Sequence, residues 1–386
     1  MAIGSNPIRI TNPPTKSEDF FYSMKKLFSI HENISKAETL PAWFYRSDDV
    51  FQHQKEKIFS RSWQYVANTD EMKEEENIFP KTFLENYLNE PIVFTKKKNE
   101  IQCLSNVCTH RGNLLAEKSC HANQFRCRYH GRKFQIDGKF ISMPEFEDVE
   151  NFPSEKDNLS KIPFAQWGKL LFASIHAEKS FEEIIRTVKE RLHWLPFDKF
   201  VFAPEHSTEY LLHANWMLYC DNYLEGFHIP FVHPDLNKQL DFGKYRNELF
   251  DSGNLQIGVS KDDEHVFQLP NNSVDFGHHV GAYYFFLFPN LMLNFYPWGL
   301  SLNVVHPLKV NLTKIEYFTF VWKKELMGNG AGGNPNQVEM EDEEIVLQVQ
   351  KGIQSRVYER GRYSVTQEKG VHQFHRFLSE KWNDKS

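Results

Sequence analysis

Two short segments, each with one cysteine and one histidine, constrain this chain more than any other feature. The first, Cys-Thr-His-Arg-Gly, spans 108–112, and the second, Cys-Arg-Tyr-His-Gly, spans 127–131. Two thiolates on one iron and two imidazoles on the other are the ligand set of a Rieske [2Fe–2S] cluster. Glycine after each pair allows tight turns that bring backbone N–H groups close to cluster sulfurs. The predicted cluster ligands are Cys108, His110, Cys127 and His130.

A structural zinc site is the alternative for paired cysteines and histidines. Zinc modules usually pair like ligands, as Cys-x(2–4)-Cys and His-x(3–5)-His, whereas here each pair mixes one cysteine with one histidine. Cys103, Cys120 and Cys220 form no Cys-x-x-Cys with each other or with the predicted ligands. The pattern therefore favours the cluster, whose imidazole ligands raise its reduction potential and suit it to accept and pass on one electron.

Length and composition limit the class of protein. A chain of 386 residues is too long for a small electron carrier alone and fits two domains. The five cysteines do not form a disulfide framework, the start lacks the apolar region of a signal peptide, and no run of eighteen apolar residues occurs. We therefore expect a reducing compartment, most simply a bacterial cytoplasm, and no membrane partner. The net charge of −6 argues against nucleic acid.

The strand and helix signals divide the chain. Short apolar runs and an Asp-Gly hairpin signal at 137–138 predict a small β domain over 45–165 that clamps the cluster. Beyond it, 166–386 reads as helices and strands, with helices predicted over 181–192 and from 338 to about 358. Residues 1–44 precede both as an N-terminal arm.

A second group of polar residues lies in the aromatic segment 215–234. Asp221, Glu225 and His228 have the spacing i, i+4, i+7, which in a helix places them on one face. Pro230 is expected to end that helix, so that His233 can turn back beside His228. Two imidazoles supply two of the three ligands in the 2-His-1-carboxylate triad of non-haem Fe(II) oxygenases. Taken alone, His-x(4)-His is a weak signal, but the cluster in the same chain favours the iron interpretation.

The third ligand should be a carboxylate from the acidic start of the last predicted helix. Asp342 shares a helix face with Val338, Val346 and other apolar residues, which turns it inward, whereas Glu341, Glu343 and Glu344 fall toward the polar side. Asp342 is the predicted ligand and Glu339 the reserve. The alternative is an acidic first turn that only complements the helix dipole.

With these motifs the chain resembles the α subunits of the Rieske non-haem iron oxygenases over nearly its whole length. The resemblance implies an α+β fold: a β-rich Rieske domain, then a helix-grip type antiparallel-sheet catalytic domain with helices, against which the N-terminal arm packs. It also implies a head-to-tail homotrimer in which Glu225 bridges one subunit's cluster histidine to the next subunit's iron. Ring-hydroxylating dioxygenases usually carry Asp at the position of Glu225. In this respect the chain resembles instead the branch of the family that acts on quaternary ammonium compounds.

The resemblance implies a division of labour. A separate flavin- or ferredoxin-type reductase supplies electrons from NAD(P)H, since no βαβ unit that carries a Gly-x-Gly-x-x-Gly fingerprint is predicted in this chain. Fe(II) and O₂ then carry out the oxidation. We expect Asp221 to orient Glu225 or His228. The tail 349–375 is similar to that of choline monooxygenase-type subunits, and a structural role is expected for its His372 and His375.

The substrate is less constrained than the metal sites. Aromatic residues over 283–288 and at 295, 296 and 298 could hold a quaternary ammonium group by cation–π attraction, or could simply fill the core of the sheet. The main hypothesis is hydroxylation or N-demethylation of a choline-, carnitine- or betaine-like methylated amine. The alternatives are ring or methyl hydroxylation of an aromatic acid and, from another class, a non-catalytic electron-transfer protein.

Overall fold

The computed structural model describes residues 27–98, 100–261, 263–333 and 335–384. The first 26 residues of the predicted arm lie outside the described part. No helix among the described residues is long and apolar enough to cross a bilayer.

The cluster motifs lie in a domain of three antiparallel sheets with three strands each. The sheets have the strand orders β2-β3-β4, β5-β6-β7 and β1-β9-β8, from these strands: β1 Gln64–Asn68, β2 Ile78–Phe83, β3 Glu90–Lys97, β4 Glu100–Ser105, β5 Gln124–Arg126, β6 Lys133–Gln135, β7 Phe140–Ser142, β8 Phe164–Trp167 and β9 Leu170–Ala173. The hairpin predicted at 137–138 connects β6 to β7. Because β1 pairs with β9, this domain closes at Ala173, and the boundary expected after residue 165 would cut β8.

The second half of the chain is built on one eight-stranded antiparallel sheet. Its strands are β10 Val201–Phe202, β11 Thr208–Leu212, β12 Arg246–Phe250, β13 Gly253–Val259, β14 Val280–Leu287, β15 Leu291–Tyr296, β16 Gly299–Lys309 and β17 Leu312–Val321. Their order is β10-β17-β16-β15-β14-β13-β12, with β11 also paired to β17. The predicted combination of a β-rich domain and an antiparallel catalytic sheet with helices is confirmed.

Helices cover this sheet and connect the two halves. They are α1 Ala42–Arg46, α2 Asp48–Gln54 with a π-helical turn at Lys55–Phe59, α3 Phe181–Arg191, α4 Trp216–Tyr223, α5 Ile229–Val232, α6 Pro234–Gln239, α7 Pro335–Gly352 and α8 Lys369–Asn383. Short 3₁₀ turns occur at Thr69–Glu71, Glu155–Asp157, Phe197–Lys199, Pro204–His206, Phe242–Lys244, Lys324–Leu326 and Gly330–Gly332. The helix predicted over 181–192 is confirmed as α3. The helix predicted from 338 to about 358 corresponds to α7, which starts at Pro335 and ends at Gly352.

Both faces of the central strands are buried, which explains their unbroken apolar runs. In β14, Tyr283 and Phe285 pack into the core shared with α3. Phe286, on the opposite face, packs with residues of α4 and α8. Because successive side chains of a strand point to opposite faces of the sheet, the aromatic residues of the run 283–288 are divided between these two cores.

The described part of the N-terminal segment packs against the C-terminal helix. Trp43 and Phe44 make edge contacts with Trp382, with ring centroids 6.1 and 5.8 Å apart. The backbone N–H of Ala42 donates to the carbonyl of Glu359 at 2.8 Å. The first and last described segments thus close one side of the catalytic sheet together.

Gly370, in the first turn of α8, allows that helix to approach the segment after α4. A Cβ at Gly370 would overlap the carbonyl oxygen of Leu224 and the side-chain amide of Asn254. Leu224 directly precedes Glu225, so the close approach of α8 fixes the position of the acidic residue that follows α4.

We expect Gly370→Ala to destabilise the catalytic half by about 1–3 kcal/mol, because the added methyl group must displace a buried backbone. Gly352→Ala is the matched control, since nothing lies within 4 Å of a Cβ there. The measurement is the thermal unfolding midpoint, which should fall for Gly370→Ala alone. Equal midpoints for the two variants would contradict the packing argument.

Candidate iron centres

The two Cys/His segments form facing turns in the small domain. Gly112 and Gly131 have φ angles of 70° and 76°, and their N–H groups donate to the carbonyls of Cys108 and Cys127, each at 3.0 Å. Such angles favour glycine, as the sequence predicted.

The four predicted ligands converge between these turns. The thiols of Cys108 and Cys127 are buried, and the rings of His110 and His130 lie 4.8 Å apart between centroids. Each turn therefore contributes one sulfur and one imidazole to a common space.

The chemistry of this pocket fits a [2Fe–2S] cluster. Burial raises the pKa of the Cys108 thiol, and the adjacent Cys127 raises it further, so that a thiolate there needs a cation such as iron. Burial and the charges of His130, Arg111 and Arg132 lower the pKa of His110, which favours the neutral imidazole that binds metal. Nδ1 of His130 is buried and has no hydrogen-bond partner among the described residues.

A buried arginine supports the second turn. Arg132, 2% exposed, pairs with the Asp157 carboxylate at 2.7 Å and lies over the rings of Phe140 and Phe152. Its carbonyl accepts the N–H of Cys127 at 2.8 Å. The pairing compensates for the burial of the guanidinium and fixes the loop that carries Cys127 and His130.

The second constellation begins at α4. The Asn215 side chain caps this helix by accepting the N–H of Met217 at 3.0 Å, and it donates to two backbone carbonyls. The helix ends at Tyr223, so the expectation that Asp221, Glu225 and His228 share one helical face is wrong. The chain leaves helical geometry at Leu224, and the next helix, α5, begins at Ile229.

The short helix α5 decides where the two histidines lie. Pro230 occupies its first turn, where a missing N–H costs nothing, rather than ending a longer helix as expected. His228 immediately precedes α5 and His233 immediately follows it. Their rings come to 5.0 Å between centroids.

His228, His233 and Asp342 form a compact potential metal site, with one ligand atom of each within 4.8 Å of the others. Nε2 of His233 lies 3.0 Å and Nε2 of His228 lies 3.4 Å from the same oxygen, Oδ1 of Asp342. The three side chains are mostly buried. Two imidazole nitrogens and a carboxylate facing one point are the donor set of the facial triad, so these residues fit mononuclear iron.

Carboxylates orient both histidines from behind. Nδ1 of His228 contacts Oε1 of Glu225 at 2.7 Å, and Nδ1 of His233 contacts Oε2 of Glu341 at 2.7 Å. Each contact leaves Nε2 free to bind a metal. The burial of His233 lowers its pKa, but the carboxylates of Asp342 and Glu341 outweigh this effect and raise it. Periodicity placed Glu341 on the polar side of α7, so its contact with His233 was not foreseen.

Asp221 does not occupy its expected place. Its carboxylate accepts from Tyr45 Oη at 2.7 Å and contacts His375 Nε2 at 2.8 Å. Among the described residues it makes no hydrogen bond with Glu225 or His228. His375 also contacts Tyr363 Oη at 2.7 Å through Nδ1. The network joins the N-terminal segment, α4 and α8. His372 contacts the His31 carbonyl at 2.8 Å, so both tail histidines are used structurally as predicted.

Glu339, the reserve ligand, lies one helical turn before Asp342. Its Oε2 accepts from Tyr219 Oη and Tyr317 Oη, each at 2.5 Å. Burial and the nearby charge of Asp342 raise the pKa of Glu339 to about 7. Its hydrogen bonds thus go to two phenols and not to His228 or His233, which leaves Asp342 as the carboxylate of the triad.

A small cavity of about 80 Å³ adjoins the triad. Four tyrosines from separate parts of the chain line it: Tyr223, Tyr245, Tyr284 and Tyr296. Burial raises the pKa of all four, so they remain neutral phenols. Asn294, Gln256, Glu225 and Glu339 also line it.

Only part of the predicted aromatic set reaches this cavity. Tyr284 and Tyr296 do, whereas Tyr283, Phe285 and Phe295 fill the sheet core. Trp298 stacks behind Tyr296, with centroids 5.2 Å apart. Tyr223 and Tyr245 were missed, although Tyr223 stands inside the motif segment.

The structure contains a pocket that fits a Rieske cluster in the β domain and a 2-His-1-carboxylate site on the antiparallel sheet. These two centres together define an iron-dependent oxygenase. Family models give the same class: residues 62–153 match the Rieske [2Fe-2S] domain, and 199–383 match the ring hydroxylating alpha subunit (catalytic domain). Between them the two models match most of the chain. The protein belongs to the Rieske non-haem iron oxygenases as an α subunit, an oxidoreductase whose cofactors are a Rieske cluster and mononuclear iron, with O₂ as co-substrate.

Curated relatives cover nearly the same span. The chain is 28% identical to the chloroplastic choline monooxygenase of Beta vulgaris over 360 residues, which are 89% of this chain and 77% of that protein. It is 27% identical to the carnitine monooxygenase oxygenase subunit of Escherichia coli (strain K12) over 373 residues, 91% of this chain and 96% of that one.

Solved structures share the fold. The quaternary ammonium Rieske monooxygenase CntA in complex with L-carnitine gives a TM-score of 0.72 at 24% identity, covering 92% of this chain and all of that one. Naphthalene 1,2-dioxygenase from Rhodococcus sp. gives a TM-score of 0.65 at 19% identity, covering 89% and 93%. At these identities the likeness concerns the fold alone.

We expect Glu341→Ala to weaken iron binding at the triad about 10- to 100-fold, because His233 loses the carboxylate that orients it. Glu344→Ala is the matched control, since Glu344 is exposed on the same helix. The measurement is mononuclear iron retained after dialysis against a weak chelator, with the cluster absorbance as internal reference. Equal retention in the two variants would remove Glu341 from the site.

Proposed function

We propose that this α subunit inserts oxygen into a C–H bond of a small methylated ammonium compound, with electrons from a separate NAD(P)H-dependent reductase. The observation that carries the proposal is the tyrosine-walled cavity beside the triad. In this proposal Cys108, His110, Cys127 and His130 hold the cluster, and His228, His233 and Asp342 hold the iron. The relatives that act on choline and carnitine support the same class of substrate.

The cavity suits a methylated cation for physical reasons. Neutral phenol rings attract a quaternary ammonium group by about 0.5–2 kcal/mol each, and the attraction grows when water is excluded. Such a group cannot donate an N–H hydrogen bond, so a wall of rings compensates its desolvation better than isolated acceptors do. The small volume favours a compact head group.

The proposed reaction balances in oxygen atoms, electrons and protons. One atom of O₂ enters the C–H bond, and the other leaves as water with two electrons from the reductase and two protons from solvent. Hydroxylation of an N-methyl group releases formaldehyde and the demethylated amine, whereas hydroxylation of a carbinol carbon gives an aldehyde. The bound iron supplies the oxidising chemistry, and the protein residues hold the substrate and orient the ligands.

A single turnover tests the proposal directly. We expect the dithionite-reduced holoenzyme, given O₂ once, to form formaldehyde or an aldehyde from a methylated amine in a panel that also contains aromatic acids. Mass spectrometry of the products is the measurement. A hydroxylated aromatic acid would replace the proposal with aromatic hydroxylation, and cluster oxidation with no product from any compound would leave electron transfer alone.

The proposal extends to a trimer in which Glu225 connects two subunits. Glu225 contacts His228 and lines the cavity, but its side chain keeps 14% exposure. Phe227 and Phe231, beside it, are 42% and 80% exposed, and Tyr129, against the ring of His130, is 58% exposed. Exposed aromatic residues at both centres support an interface that joins the cluster of one copy to the triad of the next.

We expect Glu225→Ala, supplied with excess iron, to keep the cluster spectrum but to yield almost no product per electron, because the link between copies is lost. Glu344→Ala again serves as control. The measurement is product formed per electron delivered. Near-normal yield in Glu225→Ala would remove the bridging role.

A bacterial cytoplasmic location remains a prediction from the sequence.

A further inference from the structure

We infer that Glu339 is the counter-charge for the substrate, and that the enzyme selects a methylated ammonium compound without a carboxylate over zwitterions such as carnitine and betaine. This inference rests on the proposed function and narrows its substrate class. It also makes Glu339 a specificity-determining residue beside the triad, with no part in holding the metal.

The first observation is the position of the Glu339 carboxylate. Its Oε2 accepts two phenol hydrogen bonds, from Tyr219 and Tyr317, which are themselves 2.7 Å apart between oxygens. Its Oε1 has no hydrogen bond among the described residues, and the side chain lines the cavity. The two phenols therefore fix the carboxylate and leave one oxygen for a ligand.

The second observation concerns the cost of this arrangement. Glu339 is partly buried, and the groups that donate to its carboxylate, on Tyr219 and Tyr317, are neutral phenols rather than cations. No Lys or Arg side chain among the described residues contacts it. A cation in the cavity would supply the missing favourable charge interaction.

The third observation is that the described lining of the cavity offers no cationic partner for a substrate carboxylate. Among the described residues that line it, none is Lys or Arg. Lys244 and Arg246 flank the wall residue Tyr245 in sequence, but they pair with Asp241 at 3.0 Å and Asp275 at 2.7 Å. A zwitterion would have to bury its carboxylate near the carboxylates of Glu225 and Glu339 without a Lys or Arg partner among the described lining residues.

Neutral polar groups complete the wall. The side chains of Asn294 and Gln256 line the cavity, where Asn294 accepts from Tyr223 Oη at 2.6 Å and Gln256 accepts from Tyr245 Oη at 3.2 Å. Each amide offers both donors and an acceptor, so a neutral hydroxyl group of a ligand can be hydrogen-bonded here without a charged partner. The cavity therefore fits an amino alcohol with a methylated nitrogen.

The test compares four probes on the iron-loaded holoenzyme: choline, its neutral carbon analogue 3,3-dimethylbutan-1-ol, glycine betaine and L-carnitine. Equilibrium binding and single-turnover product are both measured. We expect choline to bind about 10- to 100-fold more tightly than the neutral analogue and than either zwitterion, the range for one charge-assisted contact. Glu339→Gln should reduce the preference for choline over its neutral analogue to near unity, whereas Glu344→Gln should preserve it.

The ratio of two ligands in one variant does not depend on how much of the protein is folded or loaded, so a destabilised Glu339→Gln still gives an answer. Betaine or carnitine bound or oxidised as well as choline would overturn the inference and leave the proposed function standing. An unchanged ratio in Glu339→Gln would also overturn it. If no methylated amine is consumed here and the single-turnover panel of the proposed function yields only hydroxylated aromatic acids, both the inference and the proposed function are overturned.

Discussion

The convergence of His228 and His233 on one carboxylate oxygen of Asp342 is the constraint on which the rest of the catalytic half depends. It requires α4 to end at Tyr223, α5 to separate the histidines, and α7 to cross behind them. The packing around His228, His233 and Asp342 holds their metal-binding atoms toward one point. This arrangement is the donor set that a mononuclear iron needs.

The surrounding carboxylates divide the work among themselves. Glu225 and Glu341 orient the histidines through Nδ1, while Glu339 is held away from them by Tyr219 and Tyr317. Acidic residues close in sequence thus have different partners because successive helical positions point in different directions. The same division leaves the carboxylate of Glu339 facing a cavity of neutral phenols, where the charge of a ligand has its largest effect.

The ends of the chain contribute to the site without entering it. Asp221 links α4 to Tyr45 and His375, and Gly370 brings α8 against Leu224. The two contacts of Asp221 join residues more than 150 positions apart in sequence. The position of Glu225 therefore depends on both termini of the described chain, a dependence that motif spacing does not contain.

The sequence alone determined the two metal-binding motifs, the division into a β-type part and a part with both helices and strands, the helix at 181–192 and the hairpin at 137–138. These features follow from local rules: ligand spacing, turn residues and periodicity act over a few positions. Only the tertiary structure decided the end of α4 at Tyr223, the contact of Glu341 with His233, the partners of Asp221, and which aromatic residues reach the cavity. Each of these depends on what packs against the segment from a distant part of the chain, and local propensity is too weak to specify it.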